Sequence, residues 1–279
     1  MNWLIVDESI KNALIEDSVY GDISTNSILS EPSLCSVELI AKENGVIAGL
    51  DVFKRVFDLL GNVHVEFNVK DGEKIENKQI IGIIKGSTIN VLTGERVALN
   101  FLQRMSGIAT ITNKMVEKMD GTKAKLLDTR KTTPNLRIFE KYSVKVGGGC
   151  NHRFSLSDGV MLKDNHIQAC GGIKNAVKLA KENTSFVRKI EVEVESIEEV
   201  KEALEAEADI IMLDNMNIEN MKEAVRIIDG KAITEASGNV SIDKIRSIAK
   251  TGVDYISCGA LTHSANVLDI SMKNLIIKN

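Results

Sequence analysis

Seven Arg or Lys side chains fall within residues 128–166 (Arg130, Lys131, Arg137, Lys141, Lys145, Arg153 and Lys163), against four acids. The same stretch holds two of the chain's four histidines, His152 and His166, and the run Gly147-Gly148-Gly149. The whole chain carries a formal charge of −4, so this is a local reversal of sign. Such a reversal points to a pocket for a small anion, because nucleic-acid binders spread positive charge over a face or stripe. Further along stand carboxylates of the opposite kind: Glu193 and Asp214, with Glu195 or Glu235 as further members. Cations of this type can hold an anionic substrate, while the carboxylates hold Mg²⁺ or oppose a developing positive charge. A plain network of ion pairs is the competing account, since desolvated charges need partners.

These residues lie where short apolar runs end. The runs at 125–127, 160–162, 190–195, 210–213, 232–234 and 253–257 each stop at charged or small residues. Segments 197–206, 218–228 and 242–250 lie between them and are amphipathic at the helical period. Strands alternating with helices predict a parallel β/α architecture, in which chemistry sits at the carboxyl edge of the strands. No G-x-G-x-x-G follows the first run and no G-x-x-x-x-G-K-[ST] loop is present, so a barrel is preferred to a dinucleotide-binding sheet. Alternation in IEVEVE puts Glu191, Glu193 and Glu195 on one strand face, where an interior position needs cations or metal. Ser237, Asn239 and Gly259 precede helical segments and could serve a phosphate, although Ser237 could equally be a cap. The triple glycine reads as an anion-cradling nest or as a flexible turn.

The first hundred residues have a different rhythm. Runs at 36–41, 46–48, 63–69 and 80–84 alternate as strands, and 7–15 and 52–60 read as helices. From Gly94 the pattern turns helical for about 25 positions, and Gly107 is expected to break it into two helices at a domain boundary. The expected division is an N-terminal domain of residues 1–107, joined by the C-terminal segment 266–279, and a barrel domain of residues 108–265. Four scattered cysteines with no C-x-x-C predict free thiols in a reducing cytoplasm. No apolar run reaches the length of a membrane span, and the sparse aromatics offer no stacking platform for single strands. Neither a membrane nor a nucleic acid is an expected partner.

Taken in order, several blocks resemble the quinolinate phosphoribosyltransferase family. They are Glu16-Asp17-x-x-x-Gly21-Asp22-Ile23, Gly94-Glu95-Arg96-x-Ala98-Leu99-Asn100, Asp128-Thr129-Arg130-Lys131-Thr132-Thr133-Pro134 and Gly147-Gly148-Gly149-x-Asn151-His152-Arg153. Leu162-Lys163-x-Asn165-His166, Glu191-Val192-Glu193-Val194-Glu195, Leu213-Asp214-Asn215 and Gly259-Ala260-Leu261-Thr262-His263-Ser264 continue the resemblance to residue 264.

The resemblance implies an N-terminal α/β sandwich domain plus an incomplete parallel β/α barrel, assembled as a dimer or a hexamer of dimers. It implies a decarboxylating pentosyltransferase of NAD biosynthesis. Quinolinate and phosphoribosyl pyrophosphate would give nicotinate mononucleotide, pyrophosphate and CO₂, with Mg²⁺ required. Arg130, His152, Arg153 and Lys163 match residues that hold the two quinolinate carboxylates, and Arg96 matches an arginine reaching into the neighbouring subunit's site. Lys131 falls on the phosphoribosyl side and joins Glu193 and Asp214 as a catalytic candidate. The two acids match positions near the ribose and metal, and Ser237, Asn239 and Gly259 match the 5′-phosphate loops. Asn239 stands where some relatives have glycine, a small change expected in that loop. The rivals are a relative encoded with molybdenum-transport genes and a non-catalytic anion sensor on the same scaffold.

Overall fold

A computed structural model describes residues 1–29 and 31–278. Helices α1 (Trp3–Asp17) and α2 (Ile23–Ile28) lead to strands β1 (Leu34–Ala41) and β2 (Gly45–Val46), then helix α3 (Leu50–Leu60). Strands β3 (Val63–Phe67), β4 (Lys74–Ile75) and β5 (Ile80–Ser87) precede the long helix α4 (Thr88–Lys118). Next come β6 (Lys125–Leu127), α5 (Arg137–Val146), β7 (Val160–Leu162), α6 (Asp164–Cys170), α7 (Ile173–Asn183) and β8 (Ile190–Val194). The chain continues through α8 (Ile197–Glu205), β9 (Ile210–Asp214), α9 (Ile218–Ile228), β10 (Ile233–Ser237) and α10 (Ile245–Ala249). It finishes with β11 (Tyr255–Ser257), α11 (Ala260–His263) and β12 (Ile270–Lys278). No helix among the described residues is long and apolar enough to cross a membrane.

Two compact units result. The first takes Met1–Asn113, Thr133–Gly148 and Ala265–Asn279; the second takes Lys114–Thr132 and Gly149–Ser264. In the first unit an antiparallel sheet of order β12-β1-β5-β3 buries alternate residues of β1, namely Cys35, Val37, Leu39 and Ala41. Helix α3 is packed through Val52, Phe53, Val56 and Phe57. The Asp71 carboxylate satisfies the free N–H groups of Gly49 and Leu50 at its start, 2.9 and 3.1 Å away. Segment 133–148, which a single boundary at residue 107 leaves with the barrel, joins this unit through its side chains. Phe139 stacks on Phe101 with ring centroids 4.8 Å apart, and the Tyr142 hydroxyl donates to Asp71 at 2.8 Å.

The expected break at Gly107 does not occur, because α4 is continuous over 31 residues. A glycine is needed there for another reason: a Cβ on Gly107 would lie 1.9 Å from the Asn266 carbonyl oxygen. The glycine run is a turn, closing α5 through the Gly147 and Gly148 N–H groups. Gly147 packs under α4, where a Cβ would lie 2.5 Å from the Ala109 carbonyl.

The second unit holds six parallel strands in the order β6-β11-β10-β9-β8-β7. Neighbours in sequence are neighbours in space all the way round, except that no ladder among the described residues joins β6 to β7. This is an incomplete parallel β/α barrel. Strand β8 is buried at Ile190, Glu191, Val192 and Val194, the two-sided burial of a strand between helices and interior. The register pairs Glu193 with Met212 and Ser237 with Asp214, so the chemically distinctive residues arrive together at one edge.

Candidate active site

At the carboxyl edge of these strands lies a cavity of about 460 Å³. Of the residues singled out in the sequence, Arg130, Lys131, His152, Arg153, Lys163, Glu193, Asp214, Ser237 and Asn239 all line it. Thr129, Met161, Met212, Asn215, Gly238 and Ser257 complete the wall. Gly259 does not line the cavity but supports it from behind: its Cβ position would meet Lys131 Cδ and the His263 ring at 3.1 Å. Arg96 is absent from the wall; it is exposed on α4 in the first unit.

Two of the cations, Arg153 and Lys163, are held by specific contacts. Arg153 donates from Nη1 to the Gly159 carbonyl at 3.0 Å, with Nη2 3.5 Å from the Met161 sulfur. Burial, and after it the neighbouring Arg130 charge, push the Arg153 pKa below its usual value. Lys163 Nζ lies 2.8 Å from Glu193 Oε2. The backbone N–H of Lys163 donates to His166 Nδ1 at the start of α6, which explains the spacing K-x-x-H in that motif.

His152 is the best-anchored member. Its backbone N–H donates to Asp128 Oδ1 at 2.9 Å, and Asp128 is fully buried. Its Nε2 sits 3.3 Å from Glu191 Oε2 and 3.4 Å from Glu235 Oε2. Burial opposes a charge on this ring, but the hydrogen bonds to the two buried carboxylates override it and raise the pKa to about 10. The Arg153 amide lies 2.7 Å from Nδ1, an approach that favours a bare nitrogen. Two buried carboxylates outweigh that one dipole, and Nε2 carries its proton in either form.

On the acidic side, Asp214 Oδ2 accepts from Asn215 Nδ2 at 2.7 Å, and Asn215 Oδ1 accepts from Asn239 Nδ2 at 2.9 Å. The Asn215 N–H also donates to the Ser237 carbonyl, so the loops after β9 and β10 are tied together. Gly238, at φ +88°, leaves the hollow that Asn215 fills; a Cβ there would stand 2.3 Å from its Oδ1.

Of the three glutamates of IEVEVE, Glu191 and Glu193 do meet cations. Glu195 lies beyond the strand end, exposed, with its N–H on Glu199. Asp128 and Glu191 were not among the expected site residues, although the alternation of β8 places Glu191 on the same face as Glu193. Among the described residues, His152, Glu191 and Glu235 are near enough for a single ion, within 4.8 Å of one another. The same closeness fits an Nε2–H shared between the two carboxylates.

Four cations and an imidazole, gathered with Glu193 and Asp214, suit a dicarboxylate substrate and a cationic transition state. Comparison with known proteins decides between the scaffolds that could carry such a site. The profile described as quinolinate phosphoribosyl transferase, N-terminal domain, matches residues 22–106, and that of the C-terminal domain matches residues 108–273. The chain belongs to the quinolinate phosphoribosyltransferase family. A probable nicotinate-nucleotide pyrophosphorylase [carboxylating] of Bacillus subtilis is 44% identical over 273 residues, covering 98% of this chain and 94% of that protein. The crystal structure of NadC from Streptococcus pyogenes superposes with a TM-score of 0.96 at 47% identity, covering 100% of this chain and 99% of that one. A nicotinate-nucleotide pyrophosphorylase from Ehrlichia chaffeensis gives 0.92 at 43% identity, over 98% of each chain. The resemblance drawn from short blocks thus extends over both units.

Proposed function

We propose that this chain transfers a phosphoribosyl group from phosphoribosyl pyrophosphate to quinolinate with loss of CO₂, forming nicotinate mononucleotide and pyrophosphate in NAD biosynthesis. The observation that carries this reading is the joining of Arg130, Arg153, Lys163 and His152 with Glu193 and Asp214 around one cavity, in a chain whose two halves both match the family.

In this reading Arg130, His152, Arg153 and Lys163 hold the two ring carboxylates, and planar guanidinium forks suit carboxylates well. Lys131, Ser237, Asn239 and Gly259 serve the phosphoribosyl end. The ring nitrogen attacks the anomeric carbon as pyrophosphate departs, and Glu193 and Asp214 oppose the positive charge that develops on the ribose. Bond formation makes the ring nitrogen cationic. The carboxylate beside it then leaves as CO₂, its electron pair is stabilised by that charge, and a solvent proton replaces it. The protein supplies position and field.

Two carboxylates on adjacent strand ends fit Mg²⁺, which binds oxygen and takes its remaining ligands from water and substrate phosphates. Glu193 and Asp214 would hold the ion, which when bound neutralises charge on the departing pyrophosphate. The second half of the reading is a homo-oligomer, a dimer or a hexamer of dimers, in which Arg96 completes a neighbour's site. Two features support it: Arg96 is exposed and outside the cavity, and α1, α2 and their linker expose Ile15, Val19, Tyr20, Ile23 and Ile28. A cytoplasmic location accords with four unpaired cysteines.

An acceptor panel tests the reaction. With phosphoribosyl pyrophosphate and Mg²⁺, quinolinate is expected to be consumed and nicotinate left unchanged, because nicotinate lacks the carboxylate that the second half of the clamp holds. Equal turnover of both acids would overturn the assignment.

A further inference from the structure

The Glu140 side chain is fully buried, and the mechanism above makes no use of it. Its Oε1 accepts from Arg104 Nη2 at 2.8 Å and Nε at 3.2 Å, while its Oε2 accepts from the Thr133 backbone N–H at 3.1 Å. The same guanidinium donates from Nη1 to the Ala265 carbonyl at 3.0 Å and from Nη2 to the Thr133 hydroxyl at 3.4 Å. Thr133 and Ala265 are the residues at which the chain re-enters the first unit from the second. One of them directly follows the segment carrying Arg130 and Lys131; the other follows Gly259 and α11.

Residues 128–134 form neither helix nor strand, so side-chain ties set their path. Lys131 donates its N–H to Thr129 Oγ1 at 3.0 Å, and its carbonyl accepts from the Thr262 hydroxyl at 2.7 Å. Thr262 lies three residues before Ala265. One fork of donors therefore fastens the exits of both segments that converge on Lys131. A buried ion pair contributes little net stability relative to apolar replacements, so stability alone does not explain a charged pair at this place.

We infer that Arg104 and Glu140 are positioning residues: they fix the exits of segments 129–134 and 259–265 and so hold Arg130 and Lys131 ready before substrate arrives. Neither touches substrate. The inference rests on the reading that Arg130 and Lys131 bind the two substrates.

The test uses the full chain and three variants. Amide hydrogen exchange, read without substrate, is expected to quicken about tenfold or more in Glu140→Ala at Thr133, whose N–H loses its acceptor, and at Leu268, whose N–H donates to the Gln103 carbonyl just beyond Ala265, with protection in β1, β3 and β5 unchanged. The KM values for quinolinate and phosphoribosyl pyrophosphate should rise about tenfold, since small displacements of positioning groups are costly. Glu140→Gln retains one acceptor, for the Thr133 N–H or for Arg104 but not for both, and should recover only part of the loss. Arg104→Lys serves if Glu140→Ala does not fold: it keeps a charge opposite Glu140 but lacks the planar fork that also spans to the Ala265 carbonyl, so exchange should quicken at Leu268 more than at Thr133. A lower melting temperature with unchanged exchange at both residues and unchanged KM values would reduce the pair to ordinary stabilisation and overturn the inference. Because exchange is read without substrate, a wild-type protein inactive on quinolinate would count against the functional reading alone.

Discussion

Lys163 Nζ and Glu193 Oε2 lie 2.8 Å apart, so the cation proposed for a quinolinate carboxylate and the acid proposed for the ribose are paired with each other. Glu193 is largely buried, whereas nearly half of Lys163 is exposed, so the lysine is the partner free to swing toward an incoming carboxylate. In the proposed reading that movement frees the Glu193 carboxylate for the ribose and the metal.

A division of labour between the two residues follows. Lys163→Met should weaken quinolinate binding in calorimetry by about tenfold or more, the worth of one charge-assisted hydrogen bond. Glu193→Gln should leave quinolinate affinity within about threefold but reduce kcat by about 10²- to 10³-fold, the usual scale for losing one electrostatic stabiliser. Equal effects of both substitutions on affinity and on kcat would contradict separate roles.

The charge on His152 gives a pH prediction. Its folded pKa is raised to about 10, above the ordinary value near 6.5. The stabilisation it contributes is therefore complete below about pH 6.5 and is lost as pH rises through about 10. Imidazole NMR should show His152 protonated from about pH 6 to about pH 9, and Glu191→Gln with Glu235→Gln should bring its midpoint below neutrality. A wild-type midpoint near 6.5 would refute the carboxylate cradle.

Gly107→Ala probes the close approach of the 266 backbone to α4. Alanine would otherwise favour a helix, but its Cβ would overlap the Asn266 carbonyl. The expected result is a loss of about 3 kcal/mol, at the upper end for overpacking, read from the denaturant midpoint. Unchanged or increased stability would show that the crossing chain yields.

Sharing of Arg96 is tested by complementation. Arg96→Ala and Arg130→Ala proteins should each be nearly inactive, and mixing them under subunit exchange should restore part of the activity. Mixed assemblies that form and stay inactive would place Arg96 outside the neighbour's site.

Much of the barrel was legible because each parallel strand announces itself twice, by an apolar run and by the polar residues that end it. Ile210–Asp214 and Ile233–Ser237 show this well, and the cavity-lining Asp214 and Ser237 stand at their ends. The buried acids were harder to read. Asp128 and Glu235 carry the same letters as any surface acid, and only the fold reveals that His152 fills the space between Glu191 and Glu235. Gly107 misled for a related reason. A glycine in a helical pattern reads as weakness, and the backbone that requires it comes from residue 266, far along the chain. Segment 133–148 packs in the first unit through Phe101–Phe139 and Asp71–Tyr142 contacts that span 38 and 71 positions, beyond the reach of any local pattern.

The most direct measurement is the fate of quinolinate labelled at the carboxyl group beside the ring nitrogen. Incubated with the protein, phosphoribosyl pyrophosphate and Mg²⁺, it should release labelled CO₂ and pyrophosphate in equal amounts, with nicotinate mononucleotide matching both. Release should stop on chelation of the metal and fall steeply in Glu193→Gln. Pyrophosphate without labelled CO₂, or quinolinate bound and returned unchanged, would contradict the account.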